Sequence, residues 1–109
     1  MPTVFVTQQT DHNLSAAQSY GDFRFLNRTP LGEAVDALAA IGVMQGLLAN
    51  FSDEDFLLCI GSPVLIGMAC AVAARLNQGR YRLLVWDRNV RKYNSLNVDL
   101  GECCGTNAN

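Results

Sequence analysis

The chain has 109 residues, of which half are hydrophobic and 17% are charged, and its formal net charge is −2. This composition excludes a disordered chain, and the weak negative charge gives no global indication of nucleic-acid binding. We predict one domain over residues 1–100 and a mobile polar tail over residues 101–109.

The first quarter of the chain predicts two strands. Residues 4–6 are apolar and predict a short first strand, and the polar residues 10–13 predict a loop. Residues 14–20 can form one helical turn that starts at Ser15. Residues 22–26 alternate between aromatic and polar side chains, which is typical of a half-buried strand.

A long first helix is predicted next. Thr29 and Pro30 form a helix start, because Thr can cap and Pro fits the first helical position. The helix is expected to run over residues 31–49, with Asn50 at its C-terminal end. An acidic turn at residues 52–55 follows it.

Residues 56–86 predict a strand–helix–strand unit. The strand at residues 56–60 is continuously apolar, as strands of buried parallel sheets are. Gly61-Ser62-Pro63 then predicts a sharp turn with Ser62 as the cap of a helix that runs to Leu76. That helix is apolar almost all round and is expected to be buried. The strand at residues 81–86 completes a right-handed parallel crossover.

The last predicted element is an antiparallel return strand, because Leu96, Val98 and Leu100 alternate with polar residues. The elements thus follow in the order β, β, α, β, α, β, β. We predict the α/β class, with a mixed sheet of four or five strands and a C-terminal hairpin.

The chain is not expected to cross a membrane or hold a metal. Residues 56–74 carry no charge, but Gly61-Ser62-Pro63 divides them into pieces of five and eleven residues, too short for a membrane span. Cys59 and Cys70 lie in apolar runs, whereas Cys103 and Cys104 are adjacent near the tail. No cysteine has zinc-site spacing, so we predict no metal, no cofactor and a reducing cytoplasmic compartment.

One candidate ligand site lies at the carboxyl ends of the strands, where open α/β sheets bind ligands. Gly61 and Ser62 begin a helix whose N–H groups suit a phosphate or carboxylate. His12, beside Asp11, and Asp87 are further candidates, because an imidazole and carboxylates can exchange protons. The turn lacks the glycine-rich phosphate motifs, and Pro63 removes one N–H donor, so a plain capped turn is the alternative.

A second candidate site is the hairpin at residues 86–93. Trp86 and Tyr93 flank the cations Arg88, Arg91 and Lys92. Such a group can form a protein-binding hot spot or stack on bases, and Trp86 packed on the sheet is the structural alternative.

Charge changes sign along the chain. Residues 29–74 carry five acidic residues and no Lys or Arg, whereas residues 75–92 carry six cations and one Asp. This pattern predicts either solvated faces or a basic patch for an anionic partner.

Several of these segments resemble small uncharacterised proteins of tailed bacteriophages. The resemblance lies in Phe-Ser-Asp-Glu-Asp-Phe-Leu-Leu-Cys-Ile-Gly-Ser-Pro at residues 51–63, in Leu-Val-Trp-Asp-Arg at residues 84–88 and in the opening residues 4–21. It covers most of the chain except the middle of the first helix and the tail. It implies a virus-encoded protein of the host cytoplasm and supplies no catalytic residues.

Three functions follow as hypotheses. The first is a non-enzymatic phage accessory protein that binds a host or viral protein and forms a homodimer through a sheet edge. The second is a nucleotide or phosphoester binder at the strand ends, which leaves enzymatic activity open. The third, less favoured by the net charge, is nucleic-acid binding by residues 75–92.

Overall fold

The computed structural model describes residues 2–27 and 37–101. Five strands and two α-helices make up the described fold, with a 3₁₀ helix at Ser15–Tyr20 between the first two strands. The elements are β1 (Thr3–Val6), β2 (Asp22–Phe25), α1 (Ala37–Leu47), β3 (Phe56–Leu58), α2 (Pro63–Leu76), β4 (Arg80–Asp87) and β5 (Lys92–Asp99).

The five strands form one mixed sheet in the order β2-β1-β3-β4-β5. The first four are parallel, and β5 is antiparallel to β4. The predicted α/β class with a mixed sheet is therefore confirmed. The observed order of elements differs in detail from the predicted one, which omits the 3₁₀ helix between β1 and β2. That helix lies at Ser15–Tyr20, where a helical turn starting at Ser15 was predicted.

Two cores pack on opposite faces of the sheet. On the helix face, Met44 of α1 and Leu65 of α2 pack against Phe5 and Leu57 of the central strands. On the opposite face, Ala17 of the 3₁₀ helix packs with its neighbours from the strands. Right-handed crossovers explain this division, because the chain moves one way to β2 and the other way to β3 and β4.

The helix α2 begins as its sequence predicts but is only half buried. The Ser62 hydroxyl accepts a hydrogen bond from the Val64 N–H at 3.2 Å, and Pro63 occupies the first position. Leu65, Ala69, Val72 and Ala73 are buried, whereas Val64 is 56% exposed. The prediction of a buried helix is therefore wrong for its outer side, since α2 forms the outer layer of the described fold. Its many Ala and Gly residues are small, so they expose little apolar surface on that side.

Buried polar groups hold the central strands in place. The Asp55 carboxylate, 7% exposed, accepts hydrogen bonds from the N–H groups of Thr3 and Ser52, both at 2.9 Å. It therefore ties the start of β1 to the turn before β3. At the other end, the Thr7 hydroxyl donates to the carbonyl of Ile60 at 2.6 Å and accepts from its N–H at 2.7 Å.

Some predicted features lie outside the described residues. They are the helix start at Thr29-Pro30, the first turns of the predicted helix, and Cys103 and Cys104 with the rest of the tail beyond residue 101. Within the described ranges, no helix combines the length and the apolar character that a membrane crossing requires. Those same ranges contain no group of three or more His, Cys, Asp or Glu side chains that could hold a metal ion.

Candidate functional site: a groove at the carboxyl ends of the strands

An open groove of about 320 Å³ lies where β1, β3 and β4 end. It combines one residue from the predicted ligand site with two from the predicted partner site. We call it the aromatic groove. Its lining is formed by His12, Asn13, Leu14, Ile60, Trp86 and Tyr93.

Trp86 and Tyr93 form one wall because they are paired residues on β4 and β5. Their rings meet edge to face, with centroids 5.0 Å apart and planes at 64°. The Tyr20 hydroxyl donates to the backbone carbonyl of Tyr93 at 2.7 Å, which fixes this part of β5 over the 3₁₀ helix. Trp86 is nevertheless 45% exposed, so much of the indole faces solvent.

His12 comes from the loop after β1. Its N–H donates to the Thr10 hydroxyl at 3.1 Å, and the N–H of Ser15 donates to the Asn13 side-chain oxygen at 2.9 Å. These two local turns present the His12 side chain at the groove, where it is exposed. The described lining contains an imidazole, an amide, an indole and a phenol, and no carboxylate. Such a lining suits stacking and hydrogen bonding rather than an acid–base pair.

Gly61 and Ser62 lie beside β1, but the Gln8 side chain occupies the space between them. Gln8 is 2% exposed, and its amide oxygen accepts the Ser62 N–H at 2.8 Å. Gly61 has φ +97°, and a Cβ there would meet the Gln8 Cβ at 2.7 Å. The Ser62 N–H is therefore already bonded, Pro63 has none, and the Val64 N–H is bonded to the Ser62 hydroxyl.

The predicted carboxylates are not among the residues that line the aromatic groove. Asp87 stabilises the hairpin loop, because its Oδ1 accepts the N–H groups of Asn89 at 2.9 Å and Val90 at 3.4 Å. Asp11 is exposed in the loop before His12. His12 thus lines the groove, whereas Asp87 and Ser62 form hydrogen bonds within their own turns. A ligand site made from the five predicted residues stays a prediction.

The basic hairpin, residues 86–93, extends directly from the groove. Arg88, Arg91 and Lys92 are all exposed. Arg91 adopts φ +54°, in the left-handed region that favours Gly, Asn or Asp over a long side chain.

The cations of residues 75–92 do not form one patch. Arg80 lies at the start of β4 and is paired with Asp53 at 3.1 Å, and the Arg82 guanidinium lies 4.0 Å from the centre of the Phe56 ring. The eight-residue strand β4 separates this end from the hairpin by roughly 25 Å at a strand rise of about 3.3 Å per residue. A second open pocket of about 380 Å³ lies at the Arg80 end.

Sequence reasoning missed several residues that line the groove or pack next to it. Gln8, Leu14, Tyr20 and Ile60 were not singled out, although Leu14 and Ile60 line the groove. The available signal was the position of Gln8 in the polar run, residues 7–9, that follows the apolar residues of β1.

Comparison with known proteins was consistent with the phage resemblance. The family model described as "Phage Pam3 gp32-like protein" matches residues 2–100. The chain belongs to the Phage Pam3 gp32-like protein family. Searches of curated proteins and of solved structures found no match.

The matched range of this phage family spans all the described elements and the whole aromatic groove. The family description names no activity. The function must therefore be argued from the geometry of this member.

Proposed function

We propose that this Pam3 gp32-like protein is a phage accessory protein that binds a host or viral protein in the host cytoplasm, acting as a regulator or inhibitor. The contact surface is the aromatic groove together with the cations of the basic hairpin. The observation that carries the proposal is the half-exposed Trp86 at the groove wall, next to three exposed cations. Trp, Tyr and Arg are the residue types most enriched among binding hot spots.

Backbone strain supports the same surface. A residue other than Gly in the left-handed region costs roughly 1–3 kcal/mol, and such residues cluster at functional sites. Arg91 occupies that conformation at the tip of the basic hairpin. A long charged side chain in that conformation is consistent with a use for its guanidinium outside the fold.

The chemistry of the surface defines the partner class. The groove offers apolar and aromatic walls of a size that accepts one or two side chains, and the hairpin offers charges for carboxylates. The expected partner is therefore a protein segment with an apolar or aromatic anchor flanked by acidic residues. A protein partner is favoured over nucleic acid because the hairpin carries only three of the six cations of residues 75–92.

Affinity capture tests this proposal. The triple variant W86A/R88A/R91A removes the anchor and two cations, and R75A/L76A removes one exposed cation and one exposed apolar side chain at the far end of the fold. Losing a hot spot worth about 2 kcal/mol lowers binding roughly thirtyfold. A protein captured from infected cells by the wild type and by R75A/L76A, but not by the triple variant, supports the groove. Equal capture by all three contradicts it.

The position of the groove favours a nucleotide as the second candidate ligand. It lies at the carboxyl ends of parallel strands beside the β1/β3 switch point, where sheets of this strand order bind ligands. Trp86 and Tyr93 could stack on a base. Melting the protein with mono-, di- and cyclic nucleotides tests this, since a ligand at 100 times its Kd adds about 2.7 kcal/mol. No shift with any nucleotide contradicts it, and a gel shift lost with salt would instead support nucleic-acid binding.

A further inference from the structure

The strand β5 forms one edge of the sheet that the described residues build. It has eight residues, and within residues 2–27 and 37–101 no further strand pairs with its outer side. Natural edge strands are usually shortened, bulged, covered or protected by Pro or several charges. β5 contains no Pro and has charges only at its two ends, Lys92 and Asp99. Such an edge is a template for another strand.

The hydrogen bonds to β4 determine which backbone groups of β5 face outward. Leu100 N–H donates to the carbonyl of the directly opposed Gly79 at 2.9 Å, so this is a hydrogen-bonded pair. Such pairs alternate in an antiparallel ladder, so Val98, Leu96 and Asn94 also bond to β4. The outward N–H and carbonyl groups therefore include those of Tyr93, Ser95 and Asn97.

We propose that a second copy of this chain occupies the β5 edge, with the two β5 strands antiparallel and Leu96 opposite Leu96 of its partner. A twofold axis perpendicular to the sheet places each residue of β5 opposite a residue whose side chain lies on the same face of the sheet. Centring that axis on Leu96 pairs Tyr93 with Asp99 and Ser95 with Asn97. Ser95 of each copy then exchanges backbone hydrogen bonds with Asn97 of the other.

The side chains of β5 are complementary in this register. Leu96 is 52% exposed as a monomer and would meet its twin in a non-hydrogen-bonded pair, in which side chains approach most closely. No charged residue of β5 lies opposite a like charge, since Asp99 lies opposite Tyr93 and Lys92 falls beyond the last residue of the other β5 strand. Centring on Ser95 instead would place Leu96 opposite Asn94, which leaves the leucine without an apolar partner.

The dimer would also place two aromatic grooves on the same face of a continuous ten-stranded sheet. The twofold axis keeps the faces of the two sheets aligned, and the groove lies on the face of the 3₁₀ helix. A partner with two binding segments would then gain avidity. This consequence needs the proposed function, but the pairing of β5 does not.

Sedimentation at several protein concentrations tests the pairing. The wild type is expected at about twice the monomer mass of 11.9 kDa. L96K and L96E each place like charges in direct opposition and are expected to be monomeric, and an equimolar mixture of the two is expected to recover the dimer. V85K is the control, because Val85 is equally exposed on the neighbouring strand β4 but away from the edge.

Each alternative result overturns a stated part of the proposal. A wild type that stays monomeric at every concentration overturns the dimer. A dimer that persists in both L96K and L96E places the interface elsewhere. Loss of the dimer in both variants without recovery in the mixture overturns the Leu96 register, provided that circular dichroism shows both variants folded. Partner capture by W86A/R88A/R91A reports on the groove alone.

Discussion

Two cysteines form the most unusual pair of side chains in the described residues. Cys59 follows β3, Cys70 lies on α2, and both are free and partly buried. The hydrogen bond from Cys59 lowers the pKa of Cys70 to about 7, an effect that partial burial opposes. The same hydrogen bond, followed by burial, raises the pKa of Cys59. The opposite directions of the two pKa shifts make Cys70 the more acidic thiol of the pair.

The rate at which iodoacetamide alkylates Cys70 should follow this shift. In a background with Cys103 and Cys104 replaced by serine, the rate is expected to rise with pH and reach half its maximum near pH 7. In C59A the donor is absent, so the midpoint should move up toward the ordinary value of 9.0. Mass spectrometry of the labelled peptide measures the rate. An unchanged midpoint in C59A would show that the hydrogen bond is not the cause.

Arg91 allows stability and function to be separated at one residue. R91G is expected to raise the free energy of unfolding by up to about 1 kcal/mol, because glycine adopts positive φ without strain, and to weaken partner capture. Q78G is the matched control, since Gln78 has φ +58° but lies at the end of α2. It should stabilise the fold and leave capture unchanged. Urea denaturation measures stability, and full capture by R91G would remove Arg91 from the site.

The chemical character of individual residues was easier to predict than their proximity. His12, Trp86 and Tyr93 were selected from the sequence because their side chains carry chemistry. Their meeting in one groove depends on β1 and β4 lying on either side of β3, which no local pattern specifies. The role of Gln8 could not be predicted from its chemical character, because it depends on the backbone of Gly61 lying against the Gln8 side chain.

At the scale of elements, the turn between β3 and α2 is the most tightly specified connection. Its sequence, Gly61-Ser62-Pro63, predicted the cap and the first helical residue, and the Ser62 hydrogen bond confirms the cap. The buried Gln8 side chain explains why the residue before Ser62 is glycine. Elements with such local signals were predictable. The exposure of the outer side of α2 was not, because it depends on whether another element packs against that side.

Two glycine substitutions should have opposite effects on stability. G61A is expected to destabilise the protein by at least 1–3 kcal/mol, roughly the cost of a strained backbone, because its methyl group would also displace Gln8. G67A lies in α2 with no atom within 4 Å of the added methyl, so it should stabilise by about 1 kcal/mol. Urea denaturation of both variants gives the two signs. A G61A protein as stable as the wild type would contradict the packing described around Gln8.

At the scale of the whole molecule, the two cores share one sheet, so we expect them to unfold as one cooperative unit. Phe5 and Leu57 contribute to the core on the helix face, while their neighbours Val4 and Phe56 contribute to the other. The α/β class followed from the alternation of strand and helix patterns. The placement of β1 between β2 and β3 could not be predicted in this way. A crossover that places β3 beside β1 and one that places it beside β2 both fit the same sequence pattern.

Hydrogen exchange should reveal this unit. Hydrogen-bonded amides of β1 and β3, which have neighbours on both sides, are expected to exchange only by global unfolding and to share its free energy. The outward amides of Tyr93, Ser95 and Asn97 should exchange fast in dilute solution. Their protection should rise with protein concentration where β5 pairs with a second copy. Amide-resolved NMR measures both classes, and unequal free energies for β1 and β3 would contradict a single unit.

The pairing of β1 with β3 has a kinetic consequence. Val4 lies beside Phe56, so about half the chain must be looped out before the centre of the sheet can form. The loss of chain entropy in that closure precedes most of the stabilising contacts, so we expect slow folding for a protein of this length. Until β1 and β3 meet, one edge of β3 lacks its neighbouring strand, and the partly folded chain is exposed to misassembly.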